Sequence, residues 1–344
     1  MNKQIDFNKK IHSFSEQLGQ INPSSITGDT YCHTYLSHLM EHRLYYLEIY
    51  AQVIQKALEN IPKPVEKIKL IDFGAGNGLL GLFAVYCGIE KVLLHERDAV
   101  FLDSAKQLAL SLNIQQVAFV CGDENHLTEY ASNFQADALV STDVIEHMYD
   151  LDLFIQKVKS NFPNCIMVHT TASNTANPFI VRRLKKLQQM DDLEGSHPQS
   201  GNLTFAESHE SFLSIRKKII QSVSGEMDEE EINVLAKRTR GMIERDIILS
   251  VENYLQRGNL PPEPKHPTNT CHPLTGSWTE KLVSEDEYQL LFKNYYNQLI
   301  IEPGFYNEFS PGFKAIIYKI VNKILNKTGL TFSPFIFLTA KGNI

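Results

Sequence analysis

The run Ile71-Asp72-Phe73-Gly74-Ala75-Gly76-Asn77-Gly78 is where the sequence first offers chemistry. An acid precedes three glycines at alternate positions, and the run joins a short apolar stretch to a helical pattern. Glycine lets the backbone pass close to a ligand, and a helix N-terminus presents N–H groups and a positive dipole beside it. Acids recur behind other short apolar stretches: Glu96 with Arg97 after VLLH, Asp123 with Glu124 after Gly122, and the segment Asp143-Val144-Ile145-Glu146-His147. A carboxylate can accept two hydrogen bonds at once. Any one of these acids alone reads as a helix-start residue, since acids favour helix N-termini. Acids at successive strand ends would repel one another without a ligand to use them.

For proton transfer the leading candidate is His147, just past the fourth strand pattern, followed by His169 at the end of the fifth. His197, His209, His266 and His272 read as surface or hydrogen-bonded loop residues. No CxxC pair and no ExxHxxH spacing occurs, so no metal is expected. The five cysteines are scattered, and they read as small buried apolar residues in a reduced, cytoplasmic protein.

These residues need a scaffold, and the pattern supplies one. From Lys67 to Ala172 apolar runs and helical stretches alternate: strands at Ile68–Phe73, Lys91–His95, Val117–Cys121, Ala138–Ser141 and Cys165–His169, with helices such as Gly78–Cys87 and Ala99–Leu112 between them. Alternating strand and helix predicts a parallel sheet covered on both faces. Residues 35–60 have helical apolar spacing up to Pro62 and Pro64. Residues 174–283 break the rhythm. Asn177-Pro178 opens a basic helix that Gly195 ends, a second helix runs from about Ser208 to Gln221, and a third starts at the Asp228/Glu231 capping pattern and stops at Gly258. A loop with five prolines follows, up to Trp278. The strand and helix pattern then resumes: a helix capped by Ser284, a strand at Gln298–Glu302, a helix over 311–328, and a strand at Ser333–Ala340. The expected organisation is an N-terminal helical extension (1–60), a core (61–173 and 284–344), and a mostly helical insertion (174–283).

Composition bounds the alternatives. With 344 residues, 43% hydrophobic and 21% charged, the chain is too apolar to be disordered. Lys314, Lys319 and Lys323 interrupt its apolar C-terminal segment, so no stretch reads as a membrane span. The N-terminus has no apolar secretory core. A net charge of −7 argues against a nucleic-acid partner.

Asp72 to Gly78, Glu96, Gly122-Asp123 and Asp143 to His147, at this spacing, resemble the class I S-adenosylmethionine-dependent methyltransferases of the small-molecule type, including ubiquinone-pathway enzymes. The resemblance covers roughly 67–173 and 284–344. It implies a Rossmann-like, doubly wound, mixed seven-stranded α/β sheet with the last strand antiparallel. The glycine loop (Asp72, Gly74, Ala75, Gly76, Asn77, Gly78) would meet the methionine part of S-adenosylmethionine. Glu96, with Arg97, would meet the ribose, and Asp123, with Gly122 and Glu124, the adenine; Asp143 and Val144 would complete the site. No Asn/Asp-Pro-Pro-aromatic segment and no Pro-Cys dipeptide occurs, which points away from amino methylation of bases or glutamine and from C5-pyrimidine methylation. The expected reaction is methyl transfer to a small molecule, at oxygen. Residues 174–283 would form the acceptor lid.

Gly76, Gly78 and Gly81 also satisfy GxGxxG, which keeps an NAD(P)-dependent oxidoreductase open as an alternative, beside a non-catalytic cofactor-binding protein. The helix at 311–328 carries Phe313, Ile316, Ile317, Ile320 and Ile324 on one face and Lys319, Asn322, Lys323 and Asn326 on the other. It reads either as a helix packed on its own domain or as a peripheral membrane contact serving a lipid-like acceptor.

Overall fold

The computed structural model describes residues 5–131, 133–195, 210–225 and 227–342. Its chain order is α1 (Phe7–Leu18), α2 (Thr30–Glu41), α3 (Arg43–Leu58), β1 (Lys69–Phe73), α4 (Leu79–Tyr86), β2 (Lys91–Glu96), α5 (Ala99–Ser111), β3 (Val117–Cys121), α6 (Glu124–Ala131), β4 (Ala138–Thr142), α7 (Leu151–Asn161), β5 (Ile166–Thr171), α8 (Pro178–Leu193), α9 (Phe212–Ser224), α10 (Glu229–Arg238), α11 (Glu244–Arg257), α12 (Glu285–Phe292), β6 (Gln298–Pro303), α13 (Phe313–Thr328) and β7 (Ile336–Lys341). Contacts divide it into two compact units: residues 1–145, 151–171 and 285–344, and residues 146–150 with 172–284.

The first unit is built on one seven-stranded sheet, ordered β3-β2-β1-β4-β5-β7-β6. The first five strands pair in parallel, and β7 runs antiparallel to both β5 and β6. Strand order reverses between β1 and β4. In open α/β sheets that reversal opens a crevice at the carboxyl ends of the strands, where ligands bind. The central strands are buried on both faces, which explains why β1, β4 and β5 read as continuous apolar runs and not as alternating ones.

The N-terminal helices share the core of this sheet. Leu36, Leu47, Val53 and Ile54 are buried in one cluster with Leu70, Phe83 and Val140, and the Phe14 and Phe83 ring centroids lie 5.4 Å apart. Each fully buried Leu or Phe contributes roughly 1.5–3 kcal/mol. The expected single helix over 35–60 is instead two. His42, at φ −102° and ψ 22°, breaks the chain between α2 and α3. Helix α1, capped by the Asp6 side chain, falls within the expected N-terminal helical extension, ahead of the stretch whose spacing reads as helical.

The second unit is mostly helical, with its own core of Ile219, Ile220, Leu235, Ile247 and Val251. Asn177 caps α8 through Phe179 and Ile180 N–H, and Asp228 with Glu231 forms a full capping box on α10. The segment after Asp228 is two helices and not one, because Gly241 takes φ +81° between α10 and α11. Gly258, in the left-handed region, ends α11. The expected helix start at Ser208, and His197 and His209, lie outside the described residues.

A buried polar framework holds this unit's proline-rich loop. Arg216, fully buried, donates to both carboxylate oxygens of Asp192, at 2.8 and 3.3 Å, and to the Ala236 carbonyl at 2.8 Å. Thr270 Oγ1 donates to Asp192 at 2.6 Å. Gln188 Nε2 donates to Asn269 Oδ1 and to the Thr279 and Glu280 carbonyls, while its Oε1 accepts from Thr268.

Candidate active site

The loop after β1 lies at the switch point. Gly74 and Ala75 N–H both donate to the His95 carbonyl, at 2.8 and 3.0 Å, which ties the loop to the end of β2. Gly74 (φ +68°) is required twice over: its conformation disfavours a side chain, and an added Cβ would fall 2.6 Å from Val144 Cγ2. Val144 thus props the loop from the end of β4, beside Asp143, which takes φ +54° and donates its N–H to the Thr170 carbonyl. Gly76 (φ +52°) faces more open space; an added Cβ would meet nothing nearer than Tyr35 at 3.8 Å and Phe101 at 3.9 Å.

Glu96 links these pieces. Its Oε2 accepts from Gly76 N–H at 2.8 Å and its Oε1 from Asp98 N–H at 2.9 Å. A carboxylate has about four lone-pair sites, so each oxygen keeps capacity for a further donor. Asp123 is exposed. Burial acts to raise its pKa, but hydrogen bonds from His126 and Asn125 outweigh it and hold the carboxyl at about 2. It stands ionised, as an acceptor for an amino N–H.

Other expected ligands turn inward. Asp72 is buried, with Oδ2 accepting from Gly81 N–H at 2.9 Å, and burial pushes its carboxyl up to about 7. Its place is at the start of α4, beneath the loop. The Asn77 side chain is also buried, donating to Ser104 Oγ at 2.7 Å and Cys32 Sγ at 3.3 Å. An added Cβ at Gly78 would press on Ala105 and Leu94, and one at Gly122 would strike the His126 ring. Arg97 is exposed; Glu124 lies 3.9 Å from Lys157 Nζ.

His169 does not suit the role of base. It is fully buried, its Nδ1 lies 2.7 Å from Ser141 Oγ, its ring faces Phe292, and burial drives its pKa down to about 3. It belongs to the interior of the sheet. His147 belongs to the second unit. Its Nδ1 donates to the Trp278 carbonyl at 2.8 Å, and its Nε2 lies 4.0 Å from Glu280 Oε1. Trp278 N–H returns a bond to the His147 carbonyl, and the indole stacks on Tyr149.

The sequence reading missed the aromatic wall beside the glycine loop. Tyr31 and Tyr35 on α2 both pack edge-on against Phe101 of α5, at 5.5 and 5.6 Å. His38 Nε2 lies 3.1 Å from Tyr46 Oη. Burial, then His42, lowers the His38 pKa, so the ring is neutral at neutral pH. Tyr46 is raised to about 12, by burial and then by the charge of Asp143; Tyr35 is raised by burial, then Asp143, with Glu96 contributing. The signal available in the sequence is density: five of the fourteen tyrosines fall within residues 31–50, with three histidines.

A cavity of about 630 Å³ lies in the second unit along α8, lined by Arg182, Lys185 and Lys186 among others. It shares no residue with the carboxylate edge of the sheet. Among the described residues no cluster of three or more His, Cys, Asp or Glu could hold a metal ion, and no helix is long and apolar enough to cross a membrane.

No protein-family model and no curated protein matches the chain. Solved structures do. The chain is similar to the plantazolicin methyltransferase BpumL in complex with SAH, at 10% identity and TM-score 0.42, covering 98% of this chain and 99% of that one. It is similar to the CurJ carbon methyltransferase at 11% identity and TM-score 0.41, covering 98% and 66%. The [4+2]-cyclase SpnF matches at 18% identity and TM-score 0.30, over 36% of this chain and 44% of that one. The chain thus spans less than half of SpnF.

Proposed function

We propose that the protein binds S-adenosylmethionine at the carboxyl edge of its sheet and transfers the methyl group to a small-molecule acceptor, at oxygen. One observation carries the reading: Glu96 reaches from the end of β2 to Gly76 N–H in the loop after β1, with acceptor capacity left on both oxygens, at the switch point of the sheet. The residues fit the cofactor. Gly76 leaves room under Tyr35 and Phe101, Glu96 would accept from the ribose hydroxyls, and ionised Asp123 from the adenine amino group.

When bound, the sulfonium supplies an activated methyl carbon. The chain's part is to align the acceptor and exclude water, and alignment of this kind can supply roughly 7–11 kcal/mol of a barrier. The aromatic wall of Tyr31, Tyr35 and Phe101 supports both tasks. A hydroxyl acceptor also needs a base, with a typical gain of about 10²–10⁴-fold. One imidazole qualifies by protonation state. His38 is neutral and pairs with Tyr46, whose phenol feels the charge of Asp143. His147, the candidate from the sequence, is held through Nδ1 by the Trp278 carbonyl. We infer further that residues 174–283 select the acceptor and that Trp278, stacked on Tyr149, forms part of an aromatic surface for it.

The NAD(P) reading is disfavoured by the sheet. Dinucleotide folds carry the order 3-2-1-4-5-6, whereas here an antiparallel β7 stands between β5 and β6. Gly81 matches the fingerprint because it packs against Leu94 and Val92 of β2, a helix-to-sheet contact that serves either fold.

Native mass spectrometry of freshly purified protein, followed by calorimetry with S-adenosylmethionine, S-adenosylhomocysteine and NAD⁺, tests the proposal. Binding of the first two, weakened in Glu96→Ala, is the expected result. Binding of NAD⁺ alone, or of none, overturns it.

A further inference from the structure

Helix α13 is turned the unusual way round. A surface helix normally buries its apolar face. Here Phe313, Ile316, Ile317, Ile320 and Ile324 are all exposed, from 42% at Ile317 to 72% at Phe313. At 100° per residue these five fall within about one third of the helix circumference. The side facing the protein is the one with Tyr318, Asn322 and Leu325. Tyr318 stacks on Tyr306 with centroids 5.2 Å apart, Asn322 exchanges hydrogen bonds with the Tyr306 backbone at 2.8 and 2.9 Å, and Leu325 is buried. Asn322, expected on a solvated polar face, is instead one of the anchors. Phe309 before the helix and Phe332 after it are exposed as well.

The charges flanking the stripe have one sign. Lys319 and Lys323 lie along one border and Lys314 along the other, with Lys327 at the C-terminal end of the ridge, all exposed. The helix contains no acid, and no acid follows it in the chain. The nearest preceding one, Glu308, accepts from Asn322 Nδ2 at 2.9 Å on the inward side. An apolar ridge bordered by lysines matches the boundary of an anionic bilayer: acyl chains meet the ridge while headgroup phosphates meet the ammonium groups. A partner protein with a purely apolar groove would leave those lysines unmatched.

We propose that α13 is a peripheral membrane-binding helix that seats its Phe313–Ile324 ridge in the surface of an anionic bilayer. Helix α13 connects the carboxyl end of β6 to the start of β7, so it stands at the same edge of the sheet as the glycine loop, and its membrane role does not depend on the methyl-transfer reading. A lipid-facing enzyme of this kind would meet its acceptor at the bilayer, which is a reason to expect an amphiphilic one.

Co-sedimentation of the full chain with vesicles of phosphatidylcholine alone, and of phosphatidylcholine mixed with phosphatidylglycerol, tests this. Binding is expected to the mixed vesicles only, and to disappear at high salt. Each lysine near the surface is worth about fivefold in partitioning, so Lys319→Glu with Lys323→Glu should weaken binding by at least about twenty-five-fold. Ile317→Ser with Ile320→Ser should weaken it comparably. All four side chains are exposed, so circular dichroism and the thermal midpoint should not change in either variant. Absence of binding at low salt overturns the proposal. So does equal binding to neutral vesicles, or a dimer seen by light scattering that Ile320→Ser dissolves in a protein that binds no vesicle.

Discussion

The two units use buried and exposed polar groups in opposite ways. In the second unit Arg216, Asp192, Thr270, Gln188 and Asn269 are withdrawn from solvent and bonded to one another. At the carboxyl edge of the first unit's sheet, Glu96, Asp123 and Asp143 face outward, and Glu96 has acceptor sites beyond those the backbone uses. A closed polar network makes a scaffold, because every member is already matched and removing one leaves a buried group orphaned. A row of partly matched acids makes a site, because a ligand can complete it.

The contrast is sharpest under mutation. Arg216→Ala should cost the second unit about 3–5 kcal/mol, by leaving Asp192 charged and buried without a partner. Chemical denaturation followed by Trp278 fluorescence checks it. Arg216→Met with Asp192→Leu should recover much of that loss. Asp72 tests the same principle inside the first unit. Its folded pKa, about 7, stands above the ordinary 3.8, so its contribution to stability is present at low pH and is lost as pH rises through 7. Asp72→Asn should therefore gain on the parent between pH 4 and pH 8, by on the order of 4 kcal/mol. Thermal midpoints of the two proteins across that range decide it; parallel curves would show that Asp72 is not held protonated.

On the proposed ribose role, Glu96→Ala should lower affinity for S-adenosylmethionine by about 2–3 kcal/mol, because charge-assisted bonds to two hydroxyls would be lost. Unchanged affinity in calorimetry would remove Glu96 from the site. In the pH dependence of turnover, His38→Ala should abolish the alkaline-side plateau if His38 takes the proton, and His147→Ala should do so if His147 does. The smallest effect belongs to a cap with no ligand role. Asp228→Ala should cost about 1 kcal/mol of stability, read by denaturation, and leave cofactor affinity unchanged.

The helix caps at Asn177 and Asp228, the stop at Gly258, the five parallel strands and the glycine loop were legible from the sequence. Each is encoded locally, in capping side chains, in positive-φ glycines, or in apolar runs of strand length. The expected antiparallel last strand also stands in the sheet, though that came from family resemblance and not from spacing. The break at His42 was not legible, because the apolar period runs through it unchanged. The aromatic wall was not legible either: Tyr31 and Phe101 are far apart in sequence, and only the packing of α2 onto α5 brings them together.

What the sequence determined by itself is the set of elements and the acids and glycines at their ends, since backbone conformation and burial period are written over a few neighbouring residues. What only the tertiary structure decided is direction. It turned Asp72, Asn77 and His169 inward, left Glu96 and Asp123 outward, and set the isoleucines of α13 toward solvent. Which way a side chain points depends on what packs behind it, and those neighbours come from distant parts of the chain.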